Sequence, residues 1–411
     1  MAWLLIIVHL VLIGWLAKKV ARTQEDKLFW PALVWKCLAG IALGSLYFHH
    51  YGYGDTVTYF LDAANVLRQG PSYTFDFMLN GPKLEGEWNG AERSVYMVKW
   101  LLLPMAVTGN NYWISSIYFS ILSFLSAWYL YLTVVRKFPD TRLAAAIAFL
   151  LYPSIVFWSS GVIKESLASA ALMVSAAVVF RIYYHIRIRA WEWLAAGVAI
   201  WILWSLKYYW AAALVAVWIP TWLVRGVLPN LSVVRSLLVW AILLLIIGVA
   251  TTTLHPNFHL DRLAAVVYEN NLAFMKLSKP PVIHFDSLAP VGTSLLLNAP
   301  WALWSGVFRP GIWEASGPIG WIAALENTLL LLMLIAAFVR YRTWHIGQDS
   351  VLLITSILVY CAALTIFLTL STPNLGTLSR YRVGYLPWIV FLTCLGNTWM
   401  QQFEKRIASL S

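Results

Sequence analysis

The sequence predicts an all-α protein that crosses a membrane many times. Hydrophobic residues make up 61% of its 411 residues and charged residues only 11%, against about 25% charged in soluble domains. Apolar runs of about 18 or more residues recur along the whole chain, and each can span a bilayer as a helix. The 24 tryptophans and 20 tyrosines suit the two bilayer interfaces, where an aromatic ring is half wet.

The apolar runs divide the chain into about eleven predicted spans. Their approximate ranges are 2–17, 29–48, 111–134, 142–159, 162–182, 191–206, 211–224, 234–252, 319–339, 350–370 and 386–400. The first run is predicted to be a retained helix rather than a signal peptide. Its basic residues, Lys18, Lys19 and Arg22, follow the apolar stretch instead of preceding it.

The net charge of +11 is explained by the orientation of these spans. With the N-terminus outside and the C-terminus inside, the inner loops carry the excess of Lys and Arg, as the positive-inside rule requires. The basic balance therefore indicates a membrane orientation, and no nucleic-acid partner is expected. The three scattered cysteines have neither metal-ligand spacing nor an evident disulfide pairing.

The chain, 1–411, is predicted to form a single membrane domain with three polar segments on its outer face. The first is a long loop over 49–110, the second a long loop over 253–318, and the third an arginine-containing turn over 371–385. Within the first loop, the apolar residues of 56–67 recur at helical spacing, which predicts a helix lying on the membrane surface.

Asp55 is the candidate catalytic residue. It follows Gly52 and Gly54 at the point where the second span should emerge on the outer face. A carboxylate there could take the proton from an attacking acceptor hydroxyl, as a general base does. The alternative is a structural role, as the cap of the helix over 56–67.

Further charged residues lie at the predicted outer ends of other spans. Lys164 and Glu165 begin the fifth span, after a predicted kink at Pro153. They are interpreted as contacts to a polar or anionic substrate, with an interfacial ion pair and a snorkelling lysine as the alternative. Lys207 begins the turn after the sixth span, either as an interfacial anchor or as part of the same site.

The segment Arg380-Tyr381-Arg382 lies just outside the last span. Two arginines on the outer side run against the positive-inside trend. The planar guanidinium can hold phosphate with two hydrogen bonds at once, so this segment is a candidate phosphate-binding site. Bonds from these arginines to lipid headgroups or loop carboxylates are the alternative.

Three more residues are candidates for lining the site. Arg309 and Glu314 lie late in the second outer loop and either pair structurally or face the substrate. Glu326 lies about two turns into the ninth span. A carboxylate at that depth should face the protein interior, as a hydrogen-bond partner or as part of the site.

Three segments resemble the GT-C superfamily of membrane glycosyltransferases. Tyr53–Tyr59 is similar to the catalytic site in the first outer loop of that superfamily, and Phe157–Glu165 resembles a segment of bacterial sugar transferases and polysaccharide polymerases. Arg380–Arg382, followed by Leu386-Pro387, is similar to the late arginine-rich turn of mannosyl- and aminoarabinose-transferase relatives. The resemblance implies a GT-C-like fold, a polyprenyl-phosphate-linked sugar as donor, and Asp55 as the catalytic acidic residue.

Two departures from the family pattern matter. The Asp55 loop follows the second span instead of the first, and no paired acidic motif is evident, so the need for a divalent metal stays open. The leading hypothesis is transfer of a sugar from a polyprenyl-phosphate or -diphosphate carrier to a glycan, lipid or protein acceptor, on the outer face of a bacterial cytoplasmic membrane. A polysaccharide polymerase or ligase is one alternative. A lipid-glycan flippase or transporter is another, and it predicts charged residues near the bilayer midplane in broken helices.

Overall fold

A computed structural model describes residues 2–21, 27–82, 92–253, 259–278, 281–339, 347–395 and 397. Within these ranges the chain is helical and forms no β-sheet; an isolated bridge joins Val282 to Asn374. The all-α prediction is therefore confirmed for the described part of the chain. The predicted tail after the last span lies outside the described residues.

Seventeen α-helices follow one another in the described ranges. In chain order they are α1 Ala2–Ala21, α2 Phe29–Ser45, α3 Asp55–Arg68, α4 Pro71–Asn80, α5 Glu92–Thr108, α6 Tyr112–Lys137, α7 Arg142–Ala146, α8 Pro153–Trp158, α9 Lys164–Tyr183, α10 Ala190–Val227, α11 Val233–Thr251, α12 Leu260–Leu277, α13 Gly292–Phe308, α14 Gly317–Val339, α15 Gln348–Ser371, α16 Leu375–Tyr381 and α17 Leu386–Leu395. Two π-helical turns, Leu46–Tyr51 and Ile147–Leu151, continue α2 and α7.

Seven of the described helices are long and apolar enough to cross a membrane. They are Phe29–Tyr51, Tyr112–Lys137, Lys164–Tyr183, Ala190–Val227, Val233–Ala250, Gly317–Val339 and Gln348–Ser371. Several turn large apolar side chains outward; Leu245 of α11, for example, is 71% exposed. Such faces suit lipid, which matches the prediction of a polytopic membrane protein. The count of about eleven spans and the orientation stay predictions.

The described chain divides into two compact units. The first comprises Met1–Leu130, Leu150–Ser175 and Ala195–Lys207, and the second comprises Tyr131–Phe149, Ala176–Leu194 and Tyr208–Ser411. The chain passes from one unit to the other several times, and the single membrane domain stays a prediction.

In the first unit, α3 packs along α5. Their shared core contains Tyr59, Phe77, Met97, Leu101 and Met105, all at most 2% exposed. The helix predicted over 56–67 is present as α3. Its buried face contains Thr56, Tyr59, Ala63 and Val66, whereas Leu61 of the predicted apolar face is 53% exposed; a position on the membrane surface stays a prediction.

The predicted spans differ from the structure in two places. The span expected over 142–159 is interrupted, because Tyr152 has an extended backbone (ψ 118°) before Pro153, as a residue preceding proline prefers. The spans expected over 191–206 and 211–224 are two helices that meet at a kink inside α10, where Lys207 has non-helical geometry (φ −143°, ψ 62°). The boundary between the two helices lies where the sequence predicted it, but as a kink and not as a turn.

In the second unit, the segment predicted as a long outer loop over 253–318 contains two helices, α12 and α13. α13 packs closely against α15. At their closest approach, a Cβ on Gly306 would overlap the Thr365 methyl group and the Thr369 hydroxyl group. Small residues permit such an approach between membrane helices, where van der Waals packing is a main source of stability.

Replacing Gly306 with Ala is expected to destabilise the second unit by about 1–3 kcal/mol, the usual effect of overpacking a close contact. The matched control is Gly197→Ala. Gly197 is exposed on α10 and has no atom within 4 Å of a built Cβ, so this change should be neutral or slightly stabilising. Thermal unfolding of both purified variants measures the difference. Equal midpoints would contradict the close α13–α15 contact.

Candidate functional site

Asp55 is the first residue of α3, and the two glycines before it determine where that helix starts. Gly52 (φ 71°) and Gly54 (φ 123°) both adopt backbone conformations that other residues rarely take. A Cβ on Gly54 would also lie 2.7 Å from ring carbons of Tyr47. The chain therefore turns tightly out of the π-helical end of α2 and enters α3 at Asp55.

The carboxylate of Asp55 lies in the first turn of α3 and is partly exposed. Negative charge is favourable there because unpaired amides give a helix N-terminus partial positive charge. The N-cap residue is Gly54, which has no side chain to cap the helix. The helix begins one residue earlier than the capping alternative assumed, so Asp55 is its first residue and not its N-cap.

Lys164 approaches the same end of α3. Its Nζ atom lies 5.5 Å from the centroid of the Tyr59 ring and donates a hydrogen bond to Ser94 Oγ at 3.3 Å. Tyr59 is four residues after Asp55, so the two side chains share one face of the helix, with about 5–6 Å between their Cβ atoms. Two sequence motifs more than one hundred residues apart thus converge on the first two turns of α3.

Glu165 and Lys207 form an ion pair inside the first unit. The Lys207 ammonium donates to Glu165 Oε1 at 2.7 Å, and the side chains are 4% and 0% exposed, respectively. The sequence predicted instead that Glu165 contacts substrate in a cavity, and that Lys207 is either an interfacial anchor or part of the same site. The pair instead holds the start of α9 against the kink of α10.

A buried break in the helical chain precedes Lys164. Residues 159–163 are non-helical and fully buried. Gly161 takes a left-handed conformation (φ 69°), and its amide donates to Ser120 Oγ at 3.0 Å. Buried irregular backbone needs internal hydrogen-bond partners of this kind. The break positions Lys164 at the N-terminus of a new helix.

Lys36, to which the sequence assigned no role, is one of three buried charged residues among the described residues of the first unit. It is 5% exposed, on α2, and donates a hydrogen bond to Ser159 Oγ in the helix break. The signal was a single basic residue within a long apolar helix. An ionisable residue within a membrane span is expensive and marks a functional candidate.

In the second unit, Arg309 and Glu314 form the structural pair that the sequence offered as one interpretation. Arg309 Nε donates to Glu314 Oε1 at 2.9 Å and to Oε2 at 3.1 Å. Glu314 Oε2 also accepts from the amide of Gly311 at 2.9 Å. The carboxylate therefore closes the turn that follows α13.

The pH dependence of this turn is predictable. Burial raises the pKa of Glu314, but the bonds from Arg309 and Gly311 outweigh it, so the pKa lies below its usual 4.5. The pair therefore stabilises the folded state above about pH 4.5, and this contribution is lost as the pH falls through the folded-state pKa. Glu314→Gln should reduce the acid-induced drop in unfolding midpoint. Glu269→Gln, an exposed control on α12, should leave it unchanged.

The two arginines predicted to bind phosphate have different surroundings. Arg382 is 3% exposed, and its guanidinium donates to the backbone oxygens of Val307 and Arg309 at the end of α13. Those carbonyls form the negative end of the helix dipole, which compensates the buried charge. Arg382 thus caps the C-terminus of α13. The sequence predicted it instead as an open phosphate ligand.

Arg380 is half-buried, and its guanidinium carbon lies 5.7 Å from the ring of Tyr381. It remains the candidate phosphate ligand of the second unit.

Glu326 is half-buried on α14, next to Asn327, whose side-chain amide donates to Pro310 O at 3.0 Å. This hydrogen bond links α14 to the turn closed by Arg309 and Glu314.

No group of three or more His, Cys, Asp or Glu side chains that could hold a metal ion occurs among the described residues. Comparisons with known proteins add no assignment: no protein-family model, curated protein or solved structure matches this chain.

Proposed function

We propose that this chain is a membrane glycosyltransferase that moves a sugar from a polyprenyl-phosphate or -diphosphate carrier to an acceptor hydroxyl. The observation that carries the proposal is the convergence of Asp55 and Lys164 on one end of α3. A partly exposed carboxylate begins α3, and an ammonium group contacts the ring of Tyr59 one turn further along the same helix, next to the π-helical end of an apolar span. A lipid-carried substrate reaches a site of this kind from within the bilayer.

Each group has a defined task in the proposed reaction. Asp55 accepts the proton from the acceptor hydroxyl as its oxygen forms a bond to the anomeric carbon. The bond from that carbon to the carrier phosphate breaks, and the phosphate leaves with the electron pair. Lys164 stabilises the negative charge that develops on the departing phosphate. Arg380 is a further candidate for holding phosphate in the second unit.

Two features of the first unit act by positioning Lys164: the ion pair between Glu165 and Lys207, and the buried break over 159–163. Glu165 directly follows Lys164, and its pair with Lys207 fixes the first turn of α9. The buried break over 159–163 sets the position at which that turn begins. A misplaced cationic group loses much of its catalytic effect, because positioning supplies a large part of rate enhancement. Both elements are therefore assigned to positioning and not to substrate contact.

Two measurements on the purified protein test the proposal. Lipids that co-purify with it are extracted and identified by mass spectrometry, and the expected species is a polyprenyl-phosphate-linked sugar. A radiolabelled donor of that kind is then incubated with the protein in nanodiscs and candidate acceptors, and the label should move to the acceptor. A donor that binds but stays intact with every acceptor tested would count against a transferase.

The buried charges support a second candidate function, a transporter or flippase of lipid-linked glycans. Lys36, Glu165 and Lys207 lie in or beside apolar helices, at a helix break and a helix kink. Broken helices with buried polar groups are typical of transporter binding sites. Proteoliposomes loaded with the labelled carrier distinguish the two. Movement of an intact carrier across the bilayer without an acceptor indicates transport, whereas label found on the acceptor indicates transfer.

A further inference from the structure

A small cavity in the second unit is independent of the proposed catalytic site. It has a volume of about 60 Å³ and lies where α9 ends and α10 approaches its C-terminus. Its lining residues are Ile182, Tyr183, His185, Trp218, Trp222, Arg225 and Gly226. A single bound water needs about 10–15 Å³ of cavity volume, so this cavity has room for a group larger than a water molecule.

Arg225 supplies the charge of this cavity, and its hydrogen-bonding capacity is not fully used. Its Nε atom is buried and has no hydrogen-bond acceptor among the described residues. Its Nη1 atom contacts Asp349 Oδ1 at 3.4 Å, but the Asp349 side chain is 75% exposed. Arg181, near the end of α9, has a shorter ion pair, to the buried Glu192 at 2.6 Å. The longer contact of Arg225 with an exposed carboxylate leaves its Nη donors available for an anion.

The walls of the cavity are aromatic and rigid. The guanidinium carbon of Arg225 lies 5.5 Å from the centroid of the Tyr183 ring, whose hydroxyl donates to Asp349 O at 2.7 Å. One turn before Arg225 on α10, Thr221 hydrogen-bonds Trp240 at 2.9 Å and Ser356 at 2.7 Å. These bonds fix α10 against α11 and α15. The arginine is thus held in place by neighbours that do not depend on a ligand.

A second cation lies beside the same helix end. Lys137 Nζ is 5.5 Å from the centroid of the Tyr184 ring, the residue next to Tyr183. Tyrosine and tryptophan rings with Lys and Arg are the composition of a membrane–water interface. Basic pockets between membrane helices bind the phosphate of anionic lipid headgroups. By the charge distribution of the sequence, this end of the helices belongs to the inner side.

We propose that this cavity binds the phosphate of an anionic glycerophospholipid headgroup, with Arg225 as the principal ligand. The guanidinium donates from its Nη atoms to the phosphate oxygens. The indole rings of Trp218 and Trp222 line the cavity and pack against the glycerol region. The lipid binds at the surface of the second unit and takes no part in chemistry.

The test is a titration of the purified full chain in detergent, followed by native mass spectrometry. Phosphatidylglycerol is expected to bind more tightly than phosphatidylcholine. Arg225→Gln should weaken phosphatidylglycerol binding by about fivefold, the effect of losing one well-placed basic residue. The matched control is Arg235→Gln, an exposed arginine at the start of α11, which should change binding by less than about twofold.

A second variant separates the cavity from its charge. A Cβ on Gly226 would meet only Trp222, at an ordinary 3.7 Å, so Gly226→Leu should fold and fill the cavity while keeping Arg225. It should weaken phosphatidylglycerol binding as Arg225→Gln does. Equal losses in Arg225→Gln and Arg235→Gln, or no preference for phosphatidylglycerol, would overturn the proposal. Binding of inorganic phosphate as tight as that of phosphatidylglycerol would keep the phosphate chemistry but overturn the lipid as its source.

Discussion

Replacing Asp55 with Asn is expected to lower the turnover of sugar transfer by about 10²–10⁴-fold, the usual contribution of a general base. Asparagine keeps the size and polarity of the side chain but cannot accept the proton of the attacking hydroxyl. Asp55 is partly exposed in the first turn of α3. Loss of its charge there removes at most about 1 kcal/mol of favourable helix-dipole interaction. The variant should therefore fold and still bind the lipid-linked donor.

The matched control is Asp62→Asn, the same substitution two turns further along α3. Asp62 is also partly buried, and desolvation raises its pKa, so the control tests whether any neutralised carboxylate on this helix has the same effect. Turnover with a labelled polyprenyl-phosphate sugar and the unfolding midpoint are measured for both variants. Near-wild-type turnover of Asp55→Asn would refute the base assignment, and equal losses in both variants would indicate a structural effect.

The fold class was predictable because it depends on composition and on local pattern. Long apolar runs define helices that suit a bilayer, and these are present in the structure. The start of α3 was also encoded locally, since Gly52 and Gly54 meet a backbone requirement that few other residues satisfy. The pair between Arg309 and Glu314 was predictable as one of two interpretations, because its members are only five residues apart.

Contacts between distant residues were not predictable from such patterns. Lys207 was placed in an interfacial turn because a charged residue between two apolar runs usually lies in water. Its partner Glu165 is 42 residues away, and no local pattern indicates that pairing. Arg382 was assigned to phosphate because it lies just outside the last apolar run and its guanidinium can hold phosphate. Its acceptors at the end of α13 are more than 70 residues upstream, within a segment that the sequence described as a loop.

The buried ion pair supports the largest expected effect on stability. Lys207→Met should destabilise the first unit by about 3–5 kcal/mol, because it leaves the Glu165 carboxylate buried without its cation. Glu165→Met should have a similar cost, because it leaves the Lys207 ammonium group buried without the Glu165 carboxylate. The double variant should recover most of the loss, since two apolar side chains of similar length need no compensating charge. Unfolding of the four proteins in detergent completes a double-mutant cycle.

The cycle also separates stability from positioning. If the pair only holds the start of α9, the double variant regains stability but keeps a lowered turnover number, because Lys164 is no longer fixed against Tyr59. Asp349→Asn is the control, since the Asp349 side chain is 75% exposed and its pair with Arg225 spans 3.4 Å. Exposed pairs of that kind contribute about 0–1 kcal/mol. Additive losses at Glu165 and Lys207 would show that the two side chains are not coupled, and the assigned positioning of Lys164 would then lack its physical basis.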